Sequence, residues 1–533
     1  GRYLSRDAAL DNTAGPADAG GVRDEFGLRL GLLWEHAGGG ELLVRMHYEE
    51  DNGINATPRN DSLDLGDHEI AVAGDGLQDT DNAFYGVSAE YSRVFGRWDL
   101  TSLTAFEGYA QQYGFDFDGA VALFGNPNLN ANLAYDRSFR QYSQEFRLQT
   151  DWTGGHTLIG LSGSVDDFSQ TYTIWCGELD PATLLGTCPY VGAGSRAGPA
   201  PVSPGTAMSL VTDINQSRTA LAAFTHNEFD LTDRVTATLG LRVTDERIEG
   251  HGSGRHVFDD GTIGYNNVGG LGLAFGSNAI DETRLSGNAA LSYDVGPGRA
   301  YASVSNSYKS GGFNGEVQNN ATHFTDEGLF DAEAVTAYEL GYKARPTDTL
   351  SWSLAAFWQD YDAPQARIFV TFPLPDGSSI TSNSLSNLDA ATVYGAEADL
   401  TWQPVAGLTL DAGLTLLDTE IDQTTNIGGN AATFDGNPLP FAPDVSATLG
   451  GRYEFALTPD VDASVAAHAK YRGDYYLDPE GLETRMQAGF TTLQAEAAFR
   501  FADTGLGLTV WGRNLTDEDY ALSGYGFIGY NTF

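Results

Sequence analysis

The residues best suited to chemistry lie close together in HGSGRHVFDDG, which brings His251, His256, Asp259 and Asp260 into one short stretch. Imidazole and carboxylate are ligand types for transition metals. Glycine and aspartate are equally the residues of ordinary turns, so the stretch is not assigned as a metal site. The same holds for Asp116 and Asp118 in FDFDG, which match a calcium loop only in part. The two cysteines, Cys176 and Cys188 in IWCGELDPATLLGTCPYV, suit a disulfide that closes a short loop. No histidine lies beside them, which argues against zinc, and a disulfide implies an oxidising compartment. The nine histidines are scattered, and no serine, histidine and aspartate fall into a nucleophilic arrangement. Enzymatic activity is not expected.

What remains is binding chemistry. Aromatic residues are frequent in long, turn-rich segments, and Tyr113, Phe115, Phe117, Phe124, Trp175, Tyr190 and Tyr265 are candidates for a rim that grips a ligand. Flat rings bury much area at little entropic cost. A second set, Glu145, Arg147, Arg242, Glu246, Glu397 and Asp399, shares the polar parity of alternating segments. These charges either contact a ligand or solvate a wide water-filled interior, and solvation is the reading preferred for most of them.

The elements that must carry these residues show themselves by alternation. In RVTATLGLRVTDE, Val235, Ala237, Leu239, Leu241 and Val243 take one face, and Thr236, Thr238, Arg242, Thr244 and Glu246 the other. Successive side chains of a strand point to opposite faces, so this is a strand with one dry side. The pattern recurs at 24–36, 41–50, 83–95, 97–111, 141–152, 155–172, 213–230, 282–294, 299–311, 332–345, 350–358, 381–403, 407–421, 444–456, 460–475, 485–501 and 505–520, eighteen strands in all. Short turns such as FGRW, LTDR and LTPD alternate with long loops such as 51–82, 112–133, 173–212, 250–280, 312–331 and 422–443. All short turns therefore fall on one rim and all long loops on the other, as in outer-membrane barrels.

Composition narrows the class. The 533 residues show no linker or shift in texture and read as a single all-β unit, residues 1–533. Seventy-two acids face 29 bases, a net charge of −43, which excludes nucleic acid as a partner. No apolar run is long enough for a transmembrane helix. Strands of a dozen residues or more exceed those of soluble sandwiches and suffice to cross a bilayer at a tilt. Trp34, Tyr48, Trp152, Trp352, Trp402, Trp511 and Tyr520 near strand ends fit interfacial girdles. The dry face is expected to touch lipid.

Five segments carry a resemblance: SYKSGGFNGE from Ser307, FDAEAVTAYELGYKAR from Phe330, TVYGAEADLTW from Thr392, GNPLPFAPDVSATLGGRY from Gly436 and VWGRNLTDEDYAL from Val510. In this order they resemble the barrel of TonB-dependent outer-membrane receptors, over essentially the whole chain. Locally, Gly395 is expected to make room for a close neighbour, and Asn514 and Asp517 to bond backbone and end a strand. The resemblance implies a transmembrane antiparallel up-and-down β-barrel in the outer membrane of a Gram-negative bacterium, among lipid and lipopolysaccharide. It implies that long loops capture a scarce, bulky nutrient such as a ferric siderophore. The TonB–ExbB–ExbD complex then powers import through an N-terminal region; no cofactor is implied. Gly1 reads as lying in an outer loop past the first strands, with signal, TonB box, plug, three early strands and one final strand outside the sequence; 22 strands would complete the barrel. A passive porin-like channel and a surface-binding structural barrel are the alternatives.

Overall fold

The computed structural model describes the chain except residues 9, 16, 18–20, 55–64, 67, 72–78, 117–130, 177–207, 259–262, 265–273, 315–328, 374–378, 424–433, 522–523, 528–529 and 533, and gives backbone alone at the strand ends beside several of these. Nineteen strands form one antiparallel sheet. They are β1 (Arg2–Arg6), β2 (Val22–His36), β3 (Gly40–Ile54), β4 (Asp79–Phe95), β5 (Trp98–Asp116), β6 (Ala131–Trp152), β7 (Gly155–Cys176), β8 (Met208–Thr232), β9 (Val235–Phe258) and β10 (Ala274–Val295). They continue as β11 (Gly298–Lys309), β12 (Glu333–Thr347), β13 (Leu350–Asp362), β14 (Ala390–Val405), β15 (Leu408–Asp422), β16 (Val445–Thr458), β17 (Val461–Arg472), β18 (Phe490–Phe501) and β19 (Gly507–Gly512). Each pairs with the strand before it, and the two-residue segment Ile263–Gly264 adds to the end of β9.

The eighteen strands read from alternation all occur, as β2 to β19, and all nine short turns lie on one rim. Some boundaries differ. The 381–403 strand is divided after Asn387: Ser379–Asn387 turns away to pair with Gln365–Pro373 in a separate hairpin, and β14 begins at Ala390. The last strand stops at Gly512 rather than residue 520 because Asn514 and Asp517 adopt positive φ (48° and 56°), a conformation no strand accommodates. Asn514 also donates to Glu518 O and accepts from Glu518 N, as a strand-ending residue should. The start of the chain corrects a further expectation. Arg2–Arg6 is not outer loop but a strand, in register with Arg23–Gly27 of β2.

The two faces differ as the alternation demands. Leu239, Leu241 and Val243 stand on the outer face and are exposed, together with Leu32, Leu161, Leu221, Leu285, Leu340 and Leu449 at 61–66%. An apolar belt of that extent has no place in water and requires a bilayer. The inner face holds the buried polar groups, among them Thr244, Glu246, Asp166 and Gln170. Gly395 lies on this inner parity: a Cβ there would come 2.3 Å from Leu416 O and 2.9 Å from the Phe357 ring, so the close neighbour is real.

Candidate functional site: a layered inner wall

Antiparallel pairing sets inner-face residues of neighbouring strands side by side, so a residue type repeated at matching register becomes a horizontal row. On β4 to β7 this yields four rows. The lowest runs Gly86, Glu107, Gln141, Asp166; above it lie Phe84, Tyr109, Phe139, Phe168; then Asn82, Gln111, Arg137, Gln170; and towards the long-loop rim Thr80, Tyr113, Tyr135, Tyr172. Polar and aromatic rows alternate up the wall.

The rings of the second row stand 6.0 Å apart for Phe84 and Tyr109 and 5.7 Å for Tyr109 and Phe139, the latter pair nearly parallel at 21°. In the top row, Tyr135 lies 6.0 Å from Tyr113 and 4.8 Å from Tyr172. Between these shelves, Arg137 donates from Nε to Gln170 Oε1 (2.7 Å) and from Nη1 to Gln111 Oε1 (3.3 Å), with its guanidinium 3.9 Å above the Tyr135 ring. Rings that bury area and a cation held by neutral amides make a surface suited to a flat, anionic solute.

The lowest row is bound differently. Gly86 lies in register between His47 and Glu107, and the absence of a side chain there lets His47 Nε2 approach Glu107 Oε2 to 3.2 Å. A Cβ on Gly86 would meet Glu107 at 2.2 Å and His47 at 2.5 Å. Gln141 donates to Asp166 (3.4 Å). The Arg218 next to Asp166 reaches Glu246 on β9, with 2.8 Å from Nε and 2.6 Å from Nη2 to Oε2. The Glu246 side chain is fully buried, and its Oε1 has no hydrogen-bond partner among the described residues.

The residues picked out from the sequence divide as follows. Glu145 and Arg147 bond one another on the inner parity of β6. Arg242 donates to Ser162 (3.0 Å) and Thr244 (3.2 Å) and lies over the Phe224 ring. Asp399 accepts from Ser353 (3.2 Å), and Glu397 is two residues nearer the long-loop rim on the same parity of β14. Among the rim aromatics, Tyr113, Phe115 and Trp175 are strand residues rather than loop residues, because β5 and β7 continue their backbone pairing past the end of apolar alternation. Phe115 pairs with Leu133 and Trp175 with Asn132, though only their backbone is described. Phe117, Phe124, Tyr190, Tyr265, Cys188, Asp118, Asp259 and Asp260 lie outside the described residues, as do the side chains of Cys176, His256 and Asp116, and hence the disulfide. Among the described residues no three histidine, cysteine or acidic side chains come together as a metal site. Sequence reading missed Phe84, Tyr109, Arg137 and Phe139. Their signal was present as same-parity residues of β4, β5 and β6, but row membership requires the register between strands.

A family model for the β-barrel of TonB-dependent receptor-like proteins matches residues 5–515. Among solved structures, the chain is similar to the ferric yersiniabactin uptake receptor FyuA from Yersinia pestis, at 16% identity and a TM-score of 0.75, covering 99% of this chain and 71% of that one. It is similar to the siderophore receptor PiuA from Acinetobacter baumannii, at 14% identity and a TM-score of 0.71, covering 99% and 75%. The closed form of the ferric-catecholate import receptor Fiu from K12 E. coli gives 16% identity, a TM-score of 0.68, and coverage of 100% and 75%. The sheet is thus a transmembrane β-barrel, its outer apolar belt faces the lipid of a Gram-negative outer membrane, and the family is one of receptors rather than enzymes. The chain belongs to the TonB-dependent receptor family, of which it carries the β-barrel.

Proposed function

We propose that this barrel serves a receptor that captures a ferric siderophore, or a similar bulky chelate, at its outer mouth and imports it with energy transmitted by TonB–ExbB–ExbD. The observation that carries this reading is the layered inner wall below the long-loop rim, where rings and an amide-held guanidinium converge. Family membership supports the use of TonB energy, and the ferric-chelate receptors among similar structures support the cargo class. Coupling matters because a barrel alone could only equilibrate a scarce solute, whereas external work allows accumulation.

The test is uptake of radiolabelled ferric chelates by iron-starved cells that express the full-length protein, with and without TonB. Uptake that needs both the receptor and TonB is expected. Receptor-dependent uptake that persists without TonB would establish a passive channel, and no uptake of any iron chelate would remove iron from the reading.

A further inference from the structure

We infer that the β4–β7 wall selects anionic ferric chelates that carry hydroxyaryl groups over chelates of similar size without rings. This deepens the import reading above and rests on it. Three features carry the inference.

The first is the charge on Arg137. On the inner parity Arg147 is paired with Glu145, Arg218 with Glu246, Arg284 with Glu282 and Arg452 with Glu454. Among the described residues Arg137, like Arg242, has no such partner; its flanking residues are Gln111 and Gln170, which keep the shape of glutamate without its charge, and unlike Arg242 it stands directly above the three-ring shelf. In a chain with 72 acids and 29 bases, a lumenal guanidinium whose partners among the described residues are neutral amides retains its attraction for an anion.

The second is the shelf beneath it. Phe84, Tyr109 and Phe139 present rings in register on three adjacent strands, with Phe84 39% exposed and the other two half-buried. Strand spacing makes this strip about 10 Å wide, and Arg137 sits two residues, about 7 Å, above Phe139. An aryl arm can lie on the strip while the charged iron centre meets the guanidinium.

The third is the acidic row under the shelf. Glu107, beside His47, and the buried Asp166 lie on the inner parity directly below Tyr109 and Phe168. They repel an anion from that level and leave the aromatic shelf as its resting place.

The experiment is a fluorescence-quenching titration of the full-length receptor in detergent with two probes, a ferric tris-catecholate and a ferric trihydroxamate of comparable size. The catecholate is expected to bind at least about tenfold more tightly, the equivalent of a few ring contacts. Phe139→Leu should lower catecholate affinity about three- to tenfold and leave the trihydroxamate unchanged, while Phe139→Tyr restores it. Arg137→Gln should weaken the catecholate about tenfold and flatten its salt dependence, with Arg137→Lys recovering part of the loss. Retained heat-modifiability on gels identifies variants that fold. Equal or tighter trihydroxamate binding, or an unchanged catecholate affinity in folded Phe139→Leu, overturns the aryl preference while TonB-dependent iron uptake still stands. Failure to bind either probe overturns it too, and the uptake assay then decides separately whether import of iron survives.

Discussion

The strands of β4 to β10 run for 17 to 25 residues, whereas β11 to β18 run for 12 to 16. A tilted strand needs about 9–11 residues to cross a bilayer. The first region therefore has a tall wall whose surplus stands beyond the lipid, still paired strand to strand. In the second region the chain leaves the sheet near the interface and its long loops fold on one another. Small apolar cores hold them, one of Ile368, Leu388, Ile421 and Phe434 and another of Tyr475, Leu477 and Phe490. Side-chain amides do the rest. Asn314 bonds both backbone groups of Leu385, Asn387 bonds Asp331 and Ala363, and Asn437 donates to Pro479 O and Glu480 O. The difference follows from one constraint. Every backbone polar group needs a partner, and a strand finds it in the ladder while a loop must borrow it from side chains. A tall wall is thereby free to present chemistry on its inner parity, and a short wall uses its polar side chains to hold a roof.

The comparison breaks most readily at Arg485. This guanidinium is 6% exposed and contacts Asp478 and Glu480 within the 473–489 loop. Arg485→Ala leaves two carboxylates without their cation and should destabilise the roof by about 3–5 kcal/mol. Hydrogen exchange should show lost protection at 473–489 and unchanged protection in β4–β7; equal loss in both would mean the regions are one cooperative unit. Gly395→Ala is expected to cost about 1–3 kcal/mol in urea unfolding, because its Cβ meets the immovable Leu416 carbonyl. Asn437→Ala should cost about 1–3 kcal/mol, confined to the contact between the 434–444 and 473–489 segments, by stranding two carbonyls. If exchange there is unaltered, the apolar core alone holds the roof.

How much of this was legible depended on the range of the signal. Alternation within a strand is local, and RVTATLGLRVTDE announced both its exposed leucines and its buried Glu246. Gly395 and Asn514 could also be read, since a missing side chain and a positive-φ asparagine act on their immediate surroundings. The aromatic shelf could not, because Phe84, Tyr109 and Phe139 become neighbours only through the pairing registers between β4, β5 and β6. The split after Asn387 escaped for a related reason: SITSNSLSN alternates well enough for a strand, and only its pairing with QARIFVTFP takes it out of the sheet. The loop clamps of Asn314, Asn387 and Asn437 were not legible either, since an asparagine's partner, a backbone group in another loop, leaves no mark nearby.

The mildest test of the comparison is acidity, which should act on the roof through Asp478. Burial pushes its carboxyl above the usual range, and Arg485 opposes that shift without cancelling it. A carboxyl with a raised folded-state pKa binds its proton more tightly in the native loop than in the opened one. Between the ordinary carboxylate range and the raised value, the native state holds more protons, so stability falls as pH rises through that window and grows as pH is lowered through it. Below the ordinary range both states are protonated and the gain is complete. Hydrogen exchange at 473–489, corrected for the intrinsic chemistry of exchange, should therefore show opening free energies that rise on mild acidification. Asp478→Asn should remove that slope while changing neutral-pH stability by less than about 1 kcal/mol, because the lost attraction to Arg485 is offset by relief from burying a charge. A slope that persists unchanged in Asp478→Asn would show that Asp478 is not its source.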